Sequence, residues 1–445
     1  MEIQLTNDQV LAMAPDSSSA SAGKKLGNAK HWKNLGVSAE ALWGECQGSA
    51  LYQVRVELAS LTSQCSCPSR KLPCKHCLGL LLLAAGSSVP AAEPPEWVTS
   101  WLAKREASST RKQEKVEKTA KAATEAPSAA QLKNAEKRLA TVKKGVETLD
   151  LWLNDLMRQG LASVATQPAS FWNQQAARLR DAQAGALDTR VRRLAAIPNA
   201  SPLWPEKLLA ELGKLALLTH AFQQEEQLEP GLREEVRQLI GWNLTQDEVS
   251  VRGETLRDDW LILGQVLEED ERSKAQRTWL IGARSGRTAM ILQFSIAGQP
   301  FPEHFALGTH QEAELTFWPG ALPQRVFMRS RLGEIAPLKD ALPGTNNIDV
   351  CLNDIAQSLS RQPWLEHFLC VLRGVTPICS EEGQTWHIRD NDGHALPFAS
   401  NDGWLLLALS GGHPVDLAAE WDGTLLRPLG VLVDGGEYVL LGRTN

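Results

Sequence analysis

Few folds accommodate three cysteines and one histidine within twelve residues, as this 445-residue chain places them between positions 65 and 76. Cys65, Cys67, Cys74 and His76 follow the pattern C-x-C-x6-C-x-H. Three thiolates and one imidazole are a donor set of closed, tetrahedral Zn²⁺ sites. A catalytic zinc ion keeps one coordination position open, whereas four protein ligands fill every position. The spacing therefore predicts one structural zinc ion held by these four side chains.

The residues on either side of the cluster predict the elements that carry it. Leu51–Ser60 alternates apolar and polar residues, which is typical of a half-buried strand. Leu78–Ala85 is a leucine-rich run that predicts a short buried helix ending at a glycine. In an extended segment Cys65 and Cys67 point to the same side, so both can face one ion. The ligands of the C-x-H pair are expected in the turn just before the helix.

Two other interpretations of these cysteines stay open at this point. The cysteines between positions 65 and 77 can instead be small buried apolar side chains, as free cysteines often are. Cys77, next to His76, is predicted to belong to the core, with exchange into the metal site as the alternative. Cys351, Cys370 and Cys379 are widely spaced, which indicates buried thiols.

The chain resembles the SWIM zinc finger in the order of its elements. An amphipathic strand comes first, then the C-x-C-x6-C-x-H pattern, and then a leucine-rich helix. The flanking sequence is similar to bacterial SWIM zinc finger family proteins in particular, over about residues 20–85. The matching segments are Gly23-Lys24-Lys25-Leu26, Trp32, Leu42-Trp43-Gly44-Glu45-Cys46-Gln47-Gly48-Ser49, Cys65-Ser66-Cys67-Pro68-Ser69-Arg70-Lys71 and Pro73-Cys74-Lys75-His76.

The resemblance implies a fold and a set of partners. It implies Zn²⁺ at Cys65, Cys67, Cys74 and His76 in a small ββα finger that binds DNA or protein. Relatives are often associated with AAA-type ATPases and von Willebrand A-domain proteins, so one of these is the expected assembly partner. The helical and β-rich remainder is similar to the same bacterial family in layout.

Periodicity along the chain predicts an α+β multidomain protein: a zinc-stapled ββα finger, a helical array and a β-rich C-terminal region. A run of charged residues that contains no aromatic residue predicts a linker after the finger that is either flexible or a frayed helix. The predicted regions are a finger domain at 1–102 with its core at about 50–86, the charged flexible linker at 103–130, a helical domain at 131–245, and a β-rich domain with one helix at 246–445.

Three predictions within these regions depend on proline and glycine. Pro168 is expected to open one helix that continues to Leu194, and Pro205 to begin the next. A helix is expected over about 355–372, kinked or split by Pro363. Asn391-Asp392-Gly393 and Asn401-Asp402-Gly403 are predicted to be tight turns between strands.

Charge is uneven along the chain. Residues 1–123 hold 15 Lys and Arg against 11 Asp and Glu, a net charge of +4 within a chain of net −6. This bias permits an anionic partner without requiring one. The candidate contacts to an anion or nucleic acid are Lys24, Lys25, Lys30, Arg70, Lys71 and Lys75. The alternative is that these side chains form an ordinary solvated surface.

Three functions are compatible with the sequence. A non-catalytic protein-interaction adaptor is favoured, DNA binding through the basic finger is the alternative, and an enzyme with a site hidden in the C-terminal region comes third. The sequence has no phosphate-binding loop, no H-E-x-x-H helix and no G-x-S-x-G elbow. Without a membrane-spanning apolar run or an apolar N-terminal signal, the expected location is the cytoplasm, away from membranes.

Overall fold

Four strands and three helices form the N-terminal unit, called the finger unit below. In this computed structural model, residues 4–124, 128–269, 273–296, 299–380, 385–433 and 435–442 are described. The finger unit comprises α1 (Asn7–Ala12), α2 (Ser17–Leu26), β1 (Trp32–Val37), β2 (Ala41–Gln47), β3 (Leu51–Glu57), β4 (Ser63–Cys65) and α3 (Lys75–Gly86). The strands form one antiparallel sheet in the order β1-β2-β3-β4. β3, β4 and α3 are the predicted ββα unit, which β1 and β2 extend.

α3 is the centre of the finger unit. Every residue from His76 to Ala84 is buried, because α1 and α2 cover the helix on one side and the sheet on the other. Two glycines let α2 and α3 approach each other closely. A Cβ atom at Gly79 would lie 2.6 Å from the Cβ of Leu26, and one at Gly23 would lie 2.8 Å from the Cβ of Leu78.

A long helix, α4 (Glu96–Thr124), follows the finger unit. Residues 103–124, predicted to be a flexible linker, therefore belong to a continuous helix, while residues 125–127 lie outside the described part of the chain. The flexible alternative is wrong and the helical one is correct, because the helix is anchored at its start. Trp97 and Trp101 lie against the guanidinium of Arg55, with ring centroids 5.5 and 5.6 Å away. Once a helix is nucleated, each further residue adds a hydrogen bond, and Ala, Lys and Glu extend it readily.

The helical bundle comes next. It contains α5 (Ala129–Gln159), α6 (Ala169–Asp181), α7 (Gly185–Leu194), α8 (Trp204–Gln223) and α9 (Pro230–Ile240), and α10 (Gln246–Arg252) follows it. The single helix predicted from Pro168 to Leu194 is in fact two, because the chain turns at Gln183, whose φ is 61°. Gly160 ends α5, and Pro205 lies in the first turn of α8, as predicted.

Two groups of paired strands build the C-terminal region. The first contains β5 (Thr255–Glu269), β6 (Ser273–Gly282), β7 (Thr288–Ile296), β8 (Thr309–Phe317), β9 (Arg325–Arg331) and β10 (Ala336–Pro337). The second contains β11 (Phe368–Cys379), β12 (Trp386–Arg389), β13 (Ala395–Phe398), β14 (Val415–Trp421), β15 (Leu426–Val433) and β16 (Glu437–Leu440). Pairing of β8 with β9, and of β13 with β15, closes five strands of each group into a ring. These are the first and second β-rings below.

The C-terminal region has more than the one predicted helix, since α11 (Ile348–Arg361) and α12 (Gly403–Ser410) both lie within it. The helix predicted over about 355–372 ends at Arg361, and its second half is strand β11, because Pro363 cannot continue a helix. Asn391-Asp392-Gly393 is a turn between strands, as predicted, but Asn401-Asp402-Gly403 leads into α12. The α+β multidomain class is confirmed.

Contacts between the units hold the finger and bundle against the β-rings. The buried Gln9 side chain donates to the carbonyl of Gly308 at 2.7 Å, joining α1 to the first β-ring. Trp364 is inserted into the core of the bundle, where its indole N–H donates to the carbonyl of Lys214 at 2.9 Å. Within the described residues, no helix is long and apolar enough to span a lipid bilayer.

Candidate metal centre

The four predicted ligands come from the end of a strand, the loop behind it and the start of a helix. Cys65 is the last residue of β4, and Cys67 follows it by two positions. Cys74 is the N-cap of α3 in an extended conformation, with φ −75° and ψ 168°. His76 lies in the first turn of α3, one residue inside the helix, where the sequence had placed it in the preceding turn. The extended cap lets Cys74 and His76 converge although the helix has already begun.

The donor atoms of Cys65, Cys67, Cys74 and His76 all lie within 4.8 Å of one another. The Nδ1 atom of His76 is 3.7 Å from the Sγ of Cys65 and 3.9 Å from the Sγ of Cys74. With Zn–S bonds of about 2.3 Å and Zn–N bonds of about 2.0–2.1 Å, tetrahedral ligands lie about 3.6 Å apart. The cluster therefore fits a single Zn²⁺ ion, with His76 binding through Nδ1.

The surroundings of the cluster hold its ligands in place. Cys74 and His76 are buried, while Cys65 and Cys67 are half-buried. The ring of His76 packs against Tyr52, with ring centroids 4.8 Å apart, which fixes the direction in which Nδ1 points. The backbone N–H of Cys67 donates to the Sγ of Cys65 at 3.5 Å, and such donors stabilise a thiolate. Zinc bound here has four protein ligands and supplies structural cross-linking.

Cys77 lies outside this group of four. Its Sγ is 3.6 Å from the Sγ of Cys74, but its side chain is fully buried among the apolar residues of the finger core. The prediction that Cys77 is a core residue is therefore confirmed. Of the three distant cysteines, Cys351 and Cys370 are buried as predicted, whereas Cys379 is exposed because it ends strand β11.

The six cationic residues predicted to contact an anion or nucleic acid differ in whether they already form an ion pair. Lys71 forms an ion pair with Asp16 at 2.7 Å, so its charge is already partnered. The other five are exposed and form no ion pair with any residue that the structure describes: Lys24, Lys25, Lys30, Arg70 and Lys75. Lys24 and Lys25 occupy the last turn of α2, and Lys75 the first turn of α3, next to the point where Gly23 packs on α3.

A second cluster of charged side chains lies where the β-rings meet, and no motif in the sequence indicates it. Glu420 in β14 is fully buried and accepts hydrogen bonds from Arg277 at 2.8 and 2.9 Å and from the Trp279 indole at 2.6 Å. His367 Nδ1 lies 3.3 Å from the same carboxylate. Arg277 and Glu420 are 143 positions apart, so no local spacing could have revealed the pair. The cluster joins the two rings.

The pairing of Glu420 with Arg277 shifts the pKa values of both groups in this second cluster. Burial alone would raise the pKa of Glu420, but the neighbouring His367 ring and the hydrogen bonds and charge of Arg277 lower it to about 2. The pKa of Arg277 is raised: burial opposes its charge, but the hydrogen bonds that it donates to Glu420 and Glu268 outweigh that cost. Both groups are therefore charged at neutral pH.

Comparison with protein families gives two matches along the chain. A family model described as the SWIM zinc finger matches residues 52–85, which include all four ligands of the metal centre. A model described as the SWIM-associated four-helix bundle domain matches residues 137–240, from within α5 to the end of α9. No match was found among curated proteins, and none among solved structures.

Proposed function

We propose that this chain, a SWIM zinc finger family protein with the associated four-helix bundle, is a non-catalytic adaptor that binds other proteins. The finger is a zinc-binding domain folded around one ion, and the bundle and β-rings form the body on which it is mounted. The burial of α3 is the observation that carries this proposal.

A DNA-reading ββα finger places its helix in the major groove, with side chains on one face of the helix contacting the bases. In this chain α3 is covered on both sides by α1, α2 and the sheet, and nine consecutive residues are buried, from His76 to Ala84. A helix so enclosed has no free face to insert into a groove. The burial of α3 therefore favours a finger that supports a protein-binding surface over a finger that reads a DNA sequence.

The closed metal centre supports the non-catalytic part of the proposal. Catalytic zinc needs an open position for water or substrate, and here three sulfurs and one imidazole nitrogen can occupy all four positions. None of the eight cysteines forms a disulfide, which suits a reducing compartment, and we place the chain in the cytoplasm on that ground. The proposed partners are an AAA-type ATPase or a von Willebrand A-domain protein.

Binding of the intact, zinc-loaded chain to each proposed partner tests the adaptor function. We expect an AAA-type ATPase or a von Willebrand A-domain protein from the same organism to co-elute with the chain in size-exclusion chromatography. The Cys74→Ser chain is expected to lose this binding if the partner contacts the finger unit, because that unit depends on the metal. If neither protein binds at tens of micromolar, the proposed partners are wrong.

DNA binding is the second candidate, and five exposed cations on the finger unit, none of them in an ion pair with a described residue, favour it: Lys24, Lys25, Lys30, Arg70 and Lys75. Cations on a surface neutralise phosphates without reading the sequence, and such binding weakens steeply with salt. This mode does not require α3 to enter a groove, so it is compatible with the fold.

A salt titration against random duplex and single-stranded DNA is expected to separate the two candidates. If the cations bind phosphates, Lys24→Ala/Lys25→Ala/Lys75→Ala should flatten the slope of log K against log salt for each phosphate that is no longer neutralised, by about 0.9 on duplex and about 0.7 on single-stranded DNA. Lys71→Ala is the matched control, because Lys71 is already paired with Asp16, and its slope should change less. Absence of binding at low salt would eliminate the DNA function.

A further inference from the structure

The outward side of α8 is an apolar face without a partner in the described part of the chain. Leu209 and Leu217 are 48 % and 46 % exposed, although leucine is usually buried in a helical bundle. Ala210, Gly213 and Ala216 lie between them on the same side and are also exposed. These five residues, called the α8 face below, are spaced at three, four and seven positions, as one stripe of a helix is.

Gly213 marks the middle of the α8 face. It lies well inside a 20-residue helix, where glycine is less favourable than alanine because the unfolded glycine backbone has more freedom to lose. Apart from the neighbouring residues and the nearby backbone of α8 itself, no described heavy atom comes within 4 Å of a Cβ built at this position, so no packing contact requires a glycine there. A close approach by another molecule would supply that reason.

The α8 face is symmetric about Gly213. Leu209 and Leu217 are each four positions from the glycine, and Ala210 and Ala216 are each three positions from it. When two copies of such a helix cross antiparallel at the glycine, each leucine of one copy lies beside a leucine of the other. The small residues at the crossing let the two backbones approach closely.

Two polar side chains follow the same symmetry. Glu206 and His220 are both exposed and each seven positions from Gly213, at opposite ends of the α8 face. In the antiparallel arrangement, the carboxylate of Glu206 in one copy lies next to the imidazole of His220 in the other, and the pair occurs twice. The Nε2 atom of His220 lies 3.1 Å from the side-chain amide nitrogen of Gln224 in the same copy, so the Nδ1–H group is the one that donates to the carboxylate. A parallel pair would instead place like groups together.

We propose that the occupant of the α8 face is a second copy of this chain, bound through an antiparallel α8–α8 contact on a two-fold axis. A two-fold interface uses the same patch on both subunits and must therefore be self-complementary, as the α8 face is. A 20-residue helix is about 30 Å long, so the contact lies at the small end of specific interfaces. We expect a reversible dimer that forms in the micromolar range, which is the range that the experiment below covers.

Sedimentation velocity of the full, zinc-loaded chain from about 1 to 100 µM tests the proposal. The mass is expected to rise from 48.8 kDa to about twice that value across this range. Leu217→Glu should leave the chain monomeric throughout, because it places a charge against a leucine of the other copy. Leu332→Glu is the matched control, since Leu332 is as exposed as Leu217, at 46 %, but lies just after β9 in the first β-ring, and this variant should dimerise normally.

A charge exchange distinguishes the antiparallel pair from other arrangements. Glu206→Lys should weaken dimerisation at least about tenfold, and Glu206→Lys/His220→Glu should restore it, because the double variant places the lysine at position 206 of one copy next to a glutamate of the other across the two-fold axis. Circular dichroism checks that each variant is folded. A wild-type chain that is monomeric at about 100 µM would overturn the proposal, as would a dimer unaffected by Leu217→Glu or a double variant without recovery.

Discussion

Chelation of zinc from the purified chain is expected to release about one Zn²⁺ per molecule and to unfold the finger unit, while both β-rings stay folded. Apparent zinc-binding free energies in zinc-finger peptides are about 10–16 kcal/mol at pH 7. That exceeds the stability of most small domains, and the ligands also hold β4 and the loop behind it to the start of α3. Hydrogen–deuterium exchange should show lost protection in β1–β4 and retained protection in β5–β16.

Single substitutions separate loss of metal from general damage to the finger core. Cys74→Ser removes one of the four ligands and should lower the zinc content well below one per chain, with the same exchange pattern as chelation. Cys46→Ser is the matched control, because Cys46 is also fully buried in this core but is not part of the cluster. Full zinc content in the Cys74→Ser chain would show that the four-ligand site is wrong.

Glu420→Gln is expected to lower the free energy of unfolding of the C-terminal region by about 3–5 kcal/mol. The substitution removes the negative charge that partners the buried Arg277 across the two β-rings, and it leaves that guanidinium with one half-exposed partner, Glu268. An uncompensated buried charge is costly because it is removed from water without an equal interaction. Urea denaturation, with exchange in β6 and β14 as the local readout, measures the loss.

Glu268→Gln is the control for this prediction. Glu268 also pairs with Arg277, at 2.9 Å, but its side chain is 42 % exposed, so water screens the pair and the loss should stay below about 1 kcal/mol. Equal losses in the two variants would contradict the assignment of Glu420 as the partner that balances the buried charge.

Acid should reproduce part of the Glu420→Gln effect. The pKa of Glu420 is about 2 in the folded chain against an ordinary value of 4.5. The carboxylate therefore contributes stability that is complete above about pH 4.5 and is lost as the pH falls towards 2. The Glu420→Gln chain lacks this contribution, so the difference in stability between it and the wild-type chain should shrink over that interval.

Much of the metal centre follows from the sequence. The four ligands lie within twelve residues, so local backbone geometry largely decides whether they meet, and a strand-end pair and a helix-start pair converge. Leucine periodicity likewise predicted the buried α3 and the helices that begin at Pro168 and Pro205. Such features are set by contacts close in sequence, which the pattern of residue types expresses directly.

Other features were decided only by tertiary structure. α4 is a helix where composition indicated a flexible linker, because its tryptophans upstream pack on the finger sheet. Residues 368–372 are strand rather than helix, because they pair with β14. The partnership of Arg277 with Glu420 joins elements 143 positions apart. Contacts between distant segments form only when the whole chain packs together, so they cannot be predicted from the spacing of neighbouring residues.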